Sequence, residues 1–357
     1  MRAKILQQKR KDELTLRDLE ALQYAADGMT TEEIAQELFL APKTVEHLLS
    51  NSQTRGLFPK IGVKNRPEAT AWYTRATNDY KHLRRTAEDS LRRIHNLRLR
   101  GQSQFALNYA EEITDQLREE IDNRFSLLGK AEILLRLLAD IDFEQLIAFY
   151  ETALPKNIWL FVKPRIKEIR DIAQFCDDTR LSGEADYIEG LAYYIAGQPV
   201  ASIRALNTAW EKLHHNDDRL KILRTIALNW AYCQDVQRFN EVAQKARAYI
   251  NDGAFSDVQY VCMTLEGLGR GQGILQLTSA FDTLDESWRY YEKIAQKRGK
   301  LPIRYVQLTR SELEVAQYLR PKNREWLEKR AHEGLRLANE YGYLRYVKQI
   351  QTLSKQF

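Results

Sequence analysis

The chain has 357 residues, of which 44% are hydrophobic and 29% charged, so its composition excludes the intrinsically disordered class. Lys and Arg outnumber Asp and Glu by 54 to 49, which makes the chain slightly basic. This small difference excludes the large excess of basic residues that is typical of histones. Only 8 prolines and 16 glycines occur, and this favours a mostly helical protein of about two domains over a sandwich or barrel.

Membrane, secretory and metal patterns are missing from the sequence. The sequence contains no run of 18 apolar residues that would predict a membrane span. Its first residues lack the apolar stretch of a signal peptide. Cys176, Cys233 and Cys262 lie far apart, which predicts reduced thiols rather than a disulfide framework or a zinc site. We therefore expect a cytoplasmic protein that does not enter a membrane.

A basic arm over residues 1–13 precedes the first predicted helix. Residues 2–11 contain five basic residues and no acidic one. Thr15 followed three residues later by Asp18 predicts a capping box at the start of the helix, and Gly28 predicts its end.

The next two predicted helices are short and lie close together. Thr30 with Glu33 predicts a second capping box, and Pro42 occupies the first position expected of a third helix. Two short helices joined by a tight turn are typical of a helix-turn-helix unit. The second helix of such a unit presents its first residues to base edges in the major groove of DNA.

Several motifs between residues 14 and 77 together resemble a known family. In order they are Leu14-Thr15-x-Arg17-x-x-Glu20-x-Leu22, Ala26-x-Gly28, Glu33-Ile34-Ala35-x-x-Leu38, Lys43-Thr44-Val45 and Gly62-Val63-x-Asn65-Arg66-x-Glu68-Ala69. This segment is similar to the LuxR-type (GerE/NarL) DNA-binding domain. The resemblance implies a small four-helix domain over residues 14–78, whose third helix reads double-stranded DNA and whose fourth helix supports a homodimer.

The resemblance also gives a set of expected DNA-binding residues. Lys43, Thr44, Val45 and His47 are expected to face bases or phosphates from the third helix. Basic residues that follow in the sequence are expected to complete the surface: Arg55, Lys60, Lys64 and Arg66.

This sequence departs from the family pattern at several positions. Ala41 stands where the family usually has Ser, and Glu32 and Glu46 stand at positions where it prefers Lys. About five extra residues lie between the third helix and Gly62, and the segment 53–59 is expected to break the helix. These departures leave two interpretations open: a domain that binds DNA, or a helix-turn-helix that docks protein in an interaction scaffold.

Residues 79–100 are predicted to form a connecting helix. An apolar seam spaced by alternating steps of four and three residues runs from the family-like segment to Leu97. Its members are Ala69, Tyr73, Ala76, Tyr80, Leu83, Ala87, Ser90, Ile94 and Leu97. The helix either mediates dimerisation or signal transmission and adds a basic flank to the DNA site, or it begins the next domain with its arginines in solvent.

Residues 101–357 contain one predicted helix after another and no convincing strand. The unit 187–210 resembles a tetratricopeptide repeat, with Gly190 and Tyr193 in its first helix, Gly197 at its turn and Leu206 in its second helix. We therefore predict an all-α protein whose second part is an α-solenoid of tetratricopeptide-like hairpins. That domain is expected to bind a protein, peptide or small ligand.

No set of catalytic residues is predicted. The six histidines form no HExxH motif. The glycine run at 267–273 lacks the preceding strand of a nucleotide loop, and it predicts a closely packed part of a repeat helix. We therefore expect a transcription regulator that is not an enzyme and that has no cofactor and no metal site.

Overall fold

The computed structural model describes residues 14–52, 56–121, 131–152, 158–253, 255–319, 321 and 323–355. Within these ranges the chain forms 17 α-helices and no β-strand, which confirms the expected all-α class. None of these helices is long and apolar enough to cross a bilayer. The chain divides into two compact units, one made of Met1–Arg92 and Glu112–Asp140 and the other of Arg93–Glu111 and Ile141–Phe357.

The helices follow one another with short connections. They are α1 (Leu16–Ala26), α2 (Thr31–Glu37), α3 (Pro42–Leu48), α4 (Leu57–Ile61), α5 (Arg66–Leu99), α6 (Ser103–Glu120), α7 (Ala131–Thr152), α8 (Ile158–Cys176), α9 (Thr179–Ile195), α10 (Pro199–Lys212), α11 (Asn216–Tyr232), α12 (Val236–Asn251), α13 (Val258–Ile274), α14 (Ala280–Arg298), α15 (Pro302–Ala316), α16 (Arg324–Glu340) and α17 (Leu344–Ser354). The basic arm over residues 1–13 lies outside the described residues.

Both expected capping boxes are present in the first unit. The backbone N–H of Asp18 donates to Thr15 Oγ1 over 3.1 Å, and the Thr15 N–H donates back to the Asp18 carboxylate over 2.9 Å. Thr30 and Glu33 make the same pair of bonds at the start of α2. These bonds satisfy helix N–H groups that have no partner within the helix, and so they fix where α1 and α2 begin.

The first unit has an apolar core that includes the segment inserted after α3. Leu57 and Phe58 of α4 are 0% and 4% exposed and belong to one cluster with Leu22 and Ala69. The segment 53–59 was expected to break the helix, and its described residues from Gly56 onward lie outside α3 and lead into α4. Helix α3 ends at Leu48 before that segment begins, and Pro59 lies inside α4 because proline is tolerated in a first helical turn.

Helix α5 is 34 residues long and passes residue 78 without a break. Buried side chains along it confirm much of the expected seam: Ala69, Tyr80, Leu83, Ala87, Ser90 and Ile94. Both interpretations of this helix left Arg98 exposed, either beside the DNA or in solvent, and this was wrong. Its side chain is buried, and it donates to Glu144 over 2.8 Å and to Glu151 over 3.2 Å.

Helices of the second unit pack in pairs, as α9 and α10 illustrate. A Cβ atom at Gly190 of α9 would lie 2.7 Å from Leu206 Cγ, so glycine is needed where the two helices approach. Gly197 adopts a φ of 71° in the turn between them, which favours glycine over other residues. Helices α9, α11, α13, α15 and α17 also contact one another in sequence, which forms one continuous row.

The glycine run 267–273 lies inside α13 and is closely packed, as expected. Added Cβ atoms would approach Leu284 within 2.7 Å at Gly269, Phe239 within 2.5 Å at Gly271 and Val315 within 2.4 Å at Gly273. The glycines therefore allow neighbouring side chains to press against the backbone of α13.

A buried carboxylate on α13 joins three helices of the row. Glu266 accepts hydrogen bonds from Arg224 of α11 and from Arg310 and Ser311 of α15. Burial alone would raise the pKa of Glu266, but Arg224 and Arg310 lower it from its ordinary value of 4.5 to about 2. The folded state therefore holds this carboxylate charged across the neutral pH range.

Replacing this carboxylate should destabilise the protein strongly. We expect Glu266→Gln to lower the free energy of unfolding by about 3–5 kcal/mol at pH 7, because buried Arg224 loses its counter-charge and buried Arg310 loses one of its two carboxylate partners. The control Glu325→Gln removes an exposed partner of Lys329 and should cost less than about 0.5 kcal/mol. Urea unfolding at pH 7 measures the free energy of unfolding of both variants. Equal values for the two variants would contradict the prediction.

The stabilisation by Glu266 should also depend on pH. Because its folded pKa is lowered, the contribution is complete above pH 4.5 and is lost as the pH falls toward 2. The difference in unfolding free energy between wild type and Glu266→Gln should therefore shrink over that interval.

Candidate nucleic-acid interface

Helix α3 follows α2 after a tight turn and begins without a side-chain cap. The N–H of Leu40 donates to the carbonyl oxygen of Ala35 over 2.8 Å, and Phe39 between them has a φ of 56°. Ala41 is the N-cap of α3 and makes no side-chain hydrogen bond, where a serine would contribute about 1 kcal/mol. Pro42 at the first helical position and the burial of Val45 fix the start of α3 instead.

The exposed face of α3 carries three of the expected DNA-binding residues. Lys43, Thr44 and His47 are exposed on this helix. Val45 is 0% exposed and packs with Ile34 in the core of the first unit. The expectation that Val45 faces DNA was therefore wrong, because the helical period turns this position inward.

The expected backbone-contacting residues have different environments. Lys60 Nζ lies 3.1 Å from a carboxylate oxygen of buried Asp18, and the Arg66 guanidinium donates to the carbonyl oxygen of Met29. Lys64 is exposed, and Arg55 lies outside the described residues. Lys60 is exposed but paired with Asp18, Arg66 is half-buried and bonded within the domain, and Lys64 is exposed to solvent.

The surface of α2 and α3 is more acidic than the family pattern implies. Their exposed carboxylates are Glu32, Glu33, Glu37 and Glu46, against one lysine and one histidine. The Glu33 carboxylate is engaged in the capping box, and its hydrogen bonds with Thr30 lower its pKa. The acidic side chains would repel a phosphate backbone that approached them closely.

One feature of the turn was missed at the sequence level. The Phe39 side chain is 94% exposed, which is unusual for a large apolar residue in a folded domain. A sequence signal for this exposed side chain exists. Phe39 is an aromatic residue directly after a short predicted helix, at a turn position that needs a left-handed backbone.

Substitutions at two neighbouring positions of α3 should distinguish a buried residue from an exposed one by their effect on stability. We expect Val45→Ala to lower the local stability of α1–α3 by about 1–3 kcal/mol, because it leaves a cavity in the core. Thr44 lies one residue earlier and is exposed, so Thr44→Ala should change this local stability by less than about 0.5 kcal/mol. Hydrogen exchange of peptides covering residues 14–52 measures both effects. A similar loss of protection in both variants would show that Val45 is not a core residue.

Comparison with family models agrees with the resemblance of the N-terminal segment. Residues 12–73 match the family described as bacterial regulatory proteins, luxR family. Neither the curated proteins nor the solved structures gave a match to this chain. The matched segment contains α1–α4 and the start of α5, and it carries a LuxR-type helix-turn-helix domain.

Proposed function

We propose that this protein regulates transcription by binding duplex DNA through α3, and that its second unit senses a protein, peptide or small ligand. The observation that carries the DNA-binding part is the exposed set Lys43, Thr44 and His47 within a LuxR-type domain. Helical regulators of this kind place such residues in the major groove.

The three exposed residues of α3 can make different kinds of contact with DNA. Lys43 can neutralise a phosphate, while the hydroxyl of Thr44 and the imidazole of His47 can bond base edges or phosphates. Lys64 adds a second exposed cation after α4. A homodimer would present two copies of α3 to two half-sites about one helical turn of DNA apart.

The second unit supports the sensing part of the proposal through its row of helices. Stacked helix pairs commonly offer an extended binding surface along one set of their helices. In this chain α9, α11, α13, α15 and α17 form that set. A protein, a peptide or a small molecule bound there would contact several repeats at once.

A second function is favoured by the surface of the first unit. Phe39, Glu32 and Glu46 are exposed on the helix-turn-helix, and a surface with an exposed aromatic side chain and exposed acids suits a basic protein partner better than DNA. In this alternative the domain docks protein, and the chain acts as an interaction scaffold.

The salt dependence of DNA binding distinguishes the two functions. If α2 and α3 approach the duplex, Glu32→Lys/Glu46→Lys should add about two phosphate contacts. The plot of log affinity against log salt should then become steeper by about 1.8. Binding isotherms on one nonspecific duplex at several salt concentrations measure this slope.

A charge-matched variant controls for the overall increase in positive charge. Glu325→Lys/Glu328→Lys makes the same change at exposed positions of α16 and should leave the slope close to that of wild type. Equal slopes for both double variants would show that DNA does not meet α2 and α3. No binding by any of the three proteins would favour the scaffold.

A further inference from the structure

A cavity in the second unit is lined by side chains from every second helix. Arg98 near the end of α5 is followed by contributions from α7, α9, α11, α13, α15 and α17. The cavity has a volume of about 140 Å³ and is partly open to solvent. It therefore lies along the same row of helices that links the repeats.

The lining of this cavity is strongly cationic. Two carboxylates, Glu144 and Glu151, line it, against one lysine and five arginines. The cationic side chains are Arg98, Lys221, Arg224, Arg304, Arg310 and Arg345. Burying so many cations is costly unless each has a counter-charge.

Four of the six cations do have carboxylate partners. Arg98 is paired with Glu144 and Glu151, and Lys221 with Asp218 at 2.6 Å. Both Arg224 and Arg310 are paired with Glu266. These four side chains are held in place and balanced by the protein itself.

Arg304 and Arg345 have no carboxylate within 4 Å among the described residues. Arg304 is only 4% exposed, its one side-chain hydrogen bond goes to the amide oxygen of Gln307 at 2.6 Å, and its Nε has no partner. Arg345 is half-buried and its Nε also lacks a partner. Both guanidinium groups line the cavity, and each retains hydrogen-bonding capacity.

Electrostatics agree with this division between paired and unpaired arginines. Burial lowers the pKa of Arg304, and repulsion from Arg98 and Arg224 lowers it further, despite some compensation from Glu151. Burial would lower the pKa of Arg98 too, but Glu144 and Glu151 raise it above its ordinary value. An anion placed beside Arg304 would relieve the repulsion.

Apart from Gln259 and Gln307, the remaining lining is apolar or aromatic. Phe143 and Ile147 of α7 and Leu191 of α9 line the cavity, and so do five tyrosines. The tyrosines are Tyr150, Tyr187, Tyr194, Tyr260 and Tyr346. A ligand with an apolar body and one anionic group matches this combination of surfaces.

We propose that this cavity binds a ligand whose carboxylate or phosphate group is held by Arg304 and Arg345 and whose apolar body packs against α7 and α9. This inference rests on the proposed sensing role of the second unit and gives that role a class of ligand. A guanidinium group can hold either anion through two parallel hydrogen bonds, which gives the site its preference for planar or tetrahedral oxyanions.

Thermal unfolding of the full chain with simple probes tests the site. Phenyl phosphate and phenylacetate carry the two anions on an aromatic body, and benzyl alcohol is the neutral control. At constant ionic strength and millimolar concentration, at least one anion should raise Tm by about 2 °C or more, and benzyl alcohol should not. The anion that raises Tm more identifies the preferred group. No rise with either anion would overturn the proposal.

Variants place the effect at the two arginines. Arg304→Gln/Arg345→Gln should abolish the rise in Tm. The charge-matched Arg238→Gln/Arg324→Gln, at exposed positions of the same unit, should retain it. An unchanged rise in the cavity variant would overturn the proposal, since the anion would then bind elsewhere.

Unfolding without a probe gives an independent measurement. Removing two cations that have no carboxylate partner should leave Tm of the cavity variant at or above that of wild type. In contrast, Arg224→Gln removes a partner of Glu266 and should lower Tm. A cavity variant that unfolds as early as Arg224→Gln, or does not fold, would show that the two arginines are structural, and this would overturn the proposal.

The same samples can be titrated with duplex DNA. A rise in Tm with an anion in a protein that binds no DNA would support the cavity site while contradicting the proposed DNA binding. DNA binding without any anion effect would contradict the cavity site alone. The two proposals therefore fail separately.

Discussion

The charge of Glu266 is the constraint on which the second unit depends most. The Glu266 carboxylate on α13 binds Arg224 of α11, the preceding helix in the row, and Arg310 of α15, the following one. Three helices therefore share one buried carboxylate. Glu314 extends the network by accepting from Arg270 over 2.6 Å. Arg304, in contrast, has no carboxylate within 4 Å among the described residues. The glycines of α13 allow the close packing that brings the charged groups together.

Local features of the fold could be predicted well because neighbouring residues determine them. The boxes of Thr15 and Thr30 depend on residues three positions away, and both formed as expected. Gly197 likewise indicated the turn between two helices. The all-α class followed from composition and helical periodicity. The identity of the hairpins as tetratricopeptide-like repeats is still a prediction.

Features that depend on partners distant in sequence could not be predicted. Lys60 was expected at the DNA backbone from the family resemblance, and its ion pair with Asp18, 42 positions away in the chain, could not be predicted. Arg98 was expected to be exposed, beside DNA or in solvent, because arginine is usually exposed, and its partners Glu144 and Glu151 follow more than forty residues later. Val45 was assigned to DNA from the family motif alone, although the helical period places it with Ile34. The unpaired state of Arg304 has no sequence signature at all.

The central claim, that the LuxR-type domain binds DNA through the exposed face of α3, is tested most directly by selection from a pool of random duplexes. Wild type should enrich a recurring sequence, whereas Lys43→Ala/Thr44→Ala should enrich none, because those side chains supply the contacts of α3. The control Arg17→Ala removes an exposed charge from α1 and should enrich the same sequence as wild type. A wild-type pool that stays random, or one identical to the pool selected by the α3 variant, would contradict this account.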